Sequence, residues 1–94
     1  MKTIKLTDAE KTLLRAADYI EKHGWCQNID EMEDGRVCAL RALSCVAGHV
    51  VAAAEELERR IKRDLVHWND DPSRTKEEVI ATMRTIEFTP STGD

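Results

Sequence analysis

Between Val37 and Ala47 only Arg41 and Ser44 are polar. A helix that is apolar nearly all round persists in water only where other elements cover it. The longest stretch without a formal charge, Ala42–Ala54, falls well short of the ~20 residues that a membrane span needs. The segment is therefore expected to be a buried helix. Its small residues, Ala39, Ala42, Cys45 and Ala47, let neighbours come close, while Arg41 and Ser44 share one side.

The rest of the chain supplies amphipathic partners. Thr7-Asp-Ala-Glu10 is a capping box, in which the Thr7 hydroxyl and the Glu10 carboxylate each take the other's amide. Leu13, Leu14, Ala17 and Ile20 then form a stripe opposite Lys11, Arg15, Asp18 and Lys22. Gly24, expected in a left-handed cap, ends helix one near His23. Val50, Ala54, Leu57, Ile61 and Leu65 mark helix three, separated from helix two by a break at Gly48-His49. Its outer face offers Glu55/Arg59, Glu56/Arg60 and Glu58/Lys62 as i,i+4 pairs. His67 to Pro72 reads as a loop, because Pro72 disfavours helix before it. A second capping box, Thr75-Lys-Glu-Glu78, opens helix four with Val79, Ile80, Met83 and Ile86 on one face.

Between helices one and two lies an acidic loop, Asn28 to Gly35, turning at Asp34-Gly35. It is not an EF-hand: aligned on Gly35, its third position is Met32 and its twelfth Arg41. Residues 1–88 are expected to form one all-α domain, a compact bundle of about four helices around a central, buried helix two, with 89–94 a flexible tail. Helices one and three are expected to run parallel on either side of helix two. That would bring the Trp25 and Trp68 loops to one end.

Ninety-four residues suit a single domain. With 41% apolar and 34% charged residues the chain is neither disordered nor membranous. A net charge of −4, from 14 basic and 18 acidic residues, disfavours general nucleic-acid binding. Met1 to Leu6 shows no apolar core of a secretory signal. With three cysteines, an odd number, free thiols in a reducing cytoplasm are expected.

Gly24-Trp25-Cys26, Asp34-Gly35-Arg36-Val37-Cys38-Ala39-Leu40, and Trp68-Asn69-Asp70 with Pro72, Arg74-Thr75 and Glu78-Val79 stand in a distinctive order. Over about residues 10–87 the chain resembles an uncharacterised family of actinobacterial genomes and their phages, whose members usually carry glycine where Arg41 stands. The resemblance implies a small accessory protein and supplies no mechanism.

Several constellations carry chemistry. Trp25, Arg36, Trp68, Asn69 and Asp70 form either a structural lid or a surface that docks on a protein partner, where Trp and Arg are common anchors. Cys38, at a helix start, is a candidate nucleophile with His67 as base and Asn69 or Asp70 as orienter. Its apolar neighbours favour an inert core thiol instead, with Cys26 the more accessible one. Cys26, Cys38, Cys45 and His49 could ligate zinc, yet no Cys-x2-Cys knuckle is present. Arg59, Arg60, Lys62 and Arg63 could meet phosphates, but the first three have acidic partners one turn earlier. A helix-turn-helix around Gly48 would read DNA with Val-Val-Ala-Ala-Ala-Glu-Glu, which lacks the polar and basic groups required. The expectation is a non-catalytic cytoplasmic protein that binds another protein, with no cofactor or metal and no membrane. A cysteine-dependent enzyme or zinc-stabilised module is the alternative, and nucleic-acid binding comes third.

Overall fold

The computed structural model describes residues 6–46 and 50–85. Its helices are α1 (Asp8–His23), α2 (Ala39–Cys45), α3 (Val50–Ile61), α4 (Leu65–Asn69) and α5 (Lys76–Arg84). Among the described residues there is no strand, only isolated bridges that join Val37 to Trp25 and to Glu31. The fold is the all-α bundle that the periodicities imply. Ile86, His49 and the tail lie outside the described residues.

Local chemistry sets the starts. The Glu10 amide donates to Thr7 Oγ1 at 3.1 Å and the Thr7 amide to Glu10 Oε1 at 2.8 Å, completing the first capping box. Thr75 caps α5 through the Glu78 amide, but the second box stays half made. Glu78 turns its carboxylate to Arg74 instead, at 2.8 Å. A charged guanidinium is the stronger donor, so it wins the carboxylate.

The α1 stripe buries Thr12, Leu13, Ala16, Ala17 and Ile20. This long helix packs against α2, α3 and α5, whereas α2 meets α1, α3 and α4. The C-terminal helix thus lies on α1 and not, as expected, around α2. The sixteen-residue α1 has room for α5 beside α2 and α3, whereas the seven residues of α2 are already taken up by α1, α3 and α4. Ala39, Ala42 and Leu43 of α2 are buried, while Arg41, Ser44 and Cys45 face solvent. Arg41, exposed, pairs with Glu31 at 3.1 Å and so burdens no packing.

Helix three ends four residues earlier than its spacing implies. Lys62 takes a left-handed conformation, φ +60°, and breaks the ladder. Asp64 then caps a new short helix by accepting the His67 amide at 2.9 Å. The expected Trp68 loop is therefore helix α4. Nor is it a parallel α1 and α3 that unites the tryptophan segments. Arg60, in the last turn of α3, reaches Glu10 in the first turn of α1, 3.9 Å away. The Lys62 turn and α4 carry the chain to Trp25.

Arg60 also locks the far side. Its nearly buried side chain pairs with Glu56 at 3.0 Å and donates to the Thr82 and Thr85 carbonyls at the end of α5. Glu56 takes Arg59 as well, and Glu58 turns to the Leu65 amide at 2.8 Å. Arg84 of α5 holds Asp18 and Glu21 of α1 at 2.8 and 2.7 Å.

Candidate functional site

The site begins where α1 stops. Gly24 has φ +100° and ψ 168°, a region open essentially to glycine and different from the left-handed cap expected. The chain then runs beside Val37: the Val37 amide donates to the Gly24 carbonyl at 3.1 Å, and the Cys26 amide to the Val37 carbonyl at 3.0 Å. The acidic loop closes through Cys38 N–H to the Asp30 carbonyl, 2.9 Å, and Gly35, at φ +95°, makes its turn.

Asn69 joins this loop to α4. Its Oδ1 accepts from Trp25 Nε1 at 2.6 Å and from the Ala39 amide at 2.9 Å. Its Nδ2 donates to the Cys26 carbonyl at 3.1 Å and to Asp70 Oδ1 at 3.0 Å. The indole and the amide only donate, and the carbonyl only accepts, so the orientation of the side-chain amide is forced. Asn69 is 2% exposed; its bonds to Ala39 and Cys26 are buried, and those to Trp25 and Asp70 partly so. It also closes one free amide of α2 from a different element, while Cys38 Sγ closes a second by accepting from Arg41 N–H at 3.3 Å.

Further bonds fasten the same edge. Gln27 Nε2 donates to the Asn69 and Asp71 carbonyls at 3.0 and 2.6 Å, and the Asn28 amide to Asp70 Oδ1 at 2.8 Å. Trp68 is buried, with Arg74 stacked 4.3 Å from its ring. Arg36 lies against Gly24 and pairs with Asp34 at 3.0 Å. The structure thus brings Trp25, Asn69 and Asp70 into direct contact and sets Arg36 and Trp68 beside them. Trp68 faces inward and supports the surface from beneath, while the nearly buried Asn69 reaches it only as part of a pocket's lining. Of the five candidates, only Arg36 is exposed, and Trp25 and Asp70 are partly so.

A pocket of about 140 Å³ opens on this platform. Ile29, Leu40, Leu65 and Val66 give it apolar walls, Asp30 and Asp70 give it carboxylates, and Cys38 lines it as well. Ile29 and Val66 at its edge are 54% and 48% exposed. An adjoining hollow is lined by Ile29, Glu31, Met32, Glu33 and Asp34. The sequence reading missed Ile29, Met32, Leu40 and Val66. One signal was present, since Ile29 and Met32 stand in an acidic loop with no period to give them a core partner.

The thiols fall differently from expectation. Cys26 is 5% exposed, its Sγ within 3.4–3.8 Å of the Ile29, Asp30 and Arg36 carbonyls, while Cys45 is exposed beside Tyr19. Cys45 follows Arg41 by one turn and so shares the solvent side of α2. Burial pushes the Cys26 thiol up, and it does the same to Cys38, where it outweighs the amides of Arg41 and Leu40. His67, exposed, pairs with Asp64 at 2.9 Å and does not line the pocket, so the proposed base stands away from Cys38. Among the described residues no group of three or more His, Cys, Asp or Glu is placed to hold a metal. Of the possible zinc set, Cys26 and Cys38 are buried, Cys45 turns to Tyr19, and His49 lies outside the described residues.

Comparison with family models matches residues 5–87 to a family of unknown function, DUF6197. No curated protein and no solved structure matches the chain.

Proposed function

Because the chain belongs to that family of unknown function, its role rests on its own surface, and we propose that it is a non-catalytic protein-binding domain. One observation carries this reading. Among the described residues four large hydrophobic side chains are exposed, and three of them, Ile29, Met32 and Val66, adjoin the pocket and its neighbouring hollow. Only Val51 stands elsewhere. Clustered apolar exposure marks an interaction site, whereas scattered exposure is ordinary.

Rigidity supports this reading. The base is fixed by the Asn69 bonds, so little ordering is needed when a partner arrives. The resemblance to a family of actinobacterial genomes and their phages supports an accessory role in a phage or mobile element, acting in the cytoplasm. No described helix is long and apolar enough to cross a membrane.

Affinity capture with three proteins tests the reading: the native chain, Ile29→Ser with Val66→Ser, and Val51→Ser. A protein held by the native chain and by Val51→Ser, and lost from the double variant, is the expected result. Equal retention by all three would remove this surface from the function.

A further inference from the structure

Charge around the pocket narrows the partner. We infer that the occupant is a peptide segment presenting one Leu- or Met-sized side chain flanked by lysine or arginine. This rests on the docking reading above and names the chemistry it takes.

Volume fixes the apolar part. A cavity of about 150 Å³ accepts one benzene, so the pocket of about 140 Å³ has room for one side chain of that size. Ile29, Leu40 and Val66 offer it aliphatic contact.

The carboxylates fix the flanks. Asp30 and Asp70 line the pocket, and no basic residue does. Among the described residues neither forms a salt bridge, whereas Glu31 and Asp34 of the adjoining hollow are held by Arg41 and Arg36. Asp70 commits Oδ1 to Asn28 and Asn69, which leaves Oδ2 for a ligand. Glu33 adds a further negative charge to the rim of the hollow. An uncharged apolar segment would cover these carboxylates without pairing them, at a desolvation cost. An acidic segment or a nucleic-acid backbone would be repelled. A cation beside the apolar anchor removes both penalties and speeds encounter.

Selection from a random heptapeptide library displayed against the full chain tests this, followed by calorimetry on the resynthesised consensus. The expected consensus has one Leu or Met with Lys or Arg within two positions. Its affinity should fall about tenfold between low and high salt, because exposed charges are screened. Asp30→Asn should weaken it about 3–10-fold, and Ile29→Ser with Val66→Ser should abolish it, with melting curves confirming that both variants fold. A consensus without cations, indifferent to salt and to Asp30→Asn but lost in the double variant, would overturn the partner chemistry and spare the docking reading. Binding untouched by the double variant would overturn both. Failure to enrich any peptide, or dimerisation of the chain blocked by the same substitutions, would replace the peptide partner altogether.

Discussion

The indole of Trp25 donates to the side-chain oxygen of Asn69 at 2.6 Å, across 44 positions of sequence, in a part of the molecule where Asn69 is 2% exposed. This bond ties the end of α1 to the end of α4. The same oxygen takes the first amide of α2 at 2.9 Å, so three helices share one acceptor atom. The pocket sits directly on that junction, with Asn69 among its lining.

Asn69→Ala should therefore be among the costliest single substitutions. It leaves the Trp25 N–H, the Ala39 N–H and the Cys26 carbonyl without their partner. Each buried group left unsatisfied costs about 1–3 kcal/mol, so the three together cost about 3–9 kcal/mol. That is a large share of a domain stability of about 5–15 kcal/mol. Trp25→Phe removes only one donor and should cost clearly less in hydrogen bonding. Urea unfolding of the three proteins decides it. A change under about 1 kcal/mol for Asn69→Ala would mean that water enters and replaces the amide.

What was legible beforehand was local. The Thr7–Glu10 box, the Gly24 stop and the Thr75 cap each involve neighbours within four residues, and periodicity placed Leu13, Ala17 and Ile20 inside. Helix α4 was hidden because Leu65 continues the four-residue spacing of α3, and nothing at Lys62 announces a positive φ. The sequence predicts that the Trp25 and Trp68 segments meet, but through a parallel packing that the Arg60–Glu10 contact does not support. Asn69 stands beside Trp68 as a candidate, yet nothing local marks it as a shared acceptor. Its partners lie 30 and 44 positions away. Spacing rules carry no information at that range.

Gly24→Ala and Gly35→Ala separate backbone strain from crowding. Both glycines have positive φ, +100° and +95°, so either alanine is strained. At Gly35 a Cβ meets nothing within 4 Å, whereas at Gly24 it would stand 2.5 Å from Arg36 Cγ. Strain alone costs on the order of 1–3 kcal/mol. Gly24→Ala should exceed Gly35→Ala, and adding Arg36→Ala should recover part of the difference, leaving the strain. Thermal unfolding of the set provides the measure. Equal costs at both positions would show that the Arg36 side chain simply swings away.

Thiol labelling should sort the cysteines by place. Cys45 is exposed on α2, while Cys26 and Cys38 are 5% and 8% exposed and pushed up in pKa by burial. The thiolate is the reacting form, so burial slows them twice, by access and by ionisation. Native protein should release one fast equivalent with a chromogenic disulfide reagent at mildly alkaline pH, and Cys45→Ser none. The other two should react at the rate of unfolding. A fast Cys38 would revive it as a nucleophile.

Stability should hold across neutral pH and fall on both sides, for separate reasons. Four carboxyls sit below their ordinary range. At Glu56 burial is the largest influence and pushes up, but hydrogen bonds from Arg59 and Arg60 together outweigh it. The His67 amide lowers Asp64, the Ser73 amide lowers Asp71, and the Arg36 side chain lowers Asp34. Unfolded carboxyls bind protons near pH ~4. As pH falls through that range, the unfolded chain takes up protons that the folded one refuses, and stability drops. At the alkaline end the sign reverses. Cys26 and Cys38 are raised by burial, so above about pH 8.5 the unfolded thiols ionise while the folded ones stay protonated, and stability falls again. Urea midpoints across pH give the profile. Asp64→Asn keeps a capping side chain and should flatten the acid limb. Cys38→Ser, which keeps an acceptor for the Arg41 amide, should flatten the alkaline limb and leave the acid limb unchanged. A midpoint that rises as pH drops below 4 would contradict the lowered carboxyls, since their loss of protons is what the folded state favours.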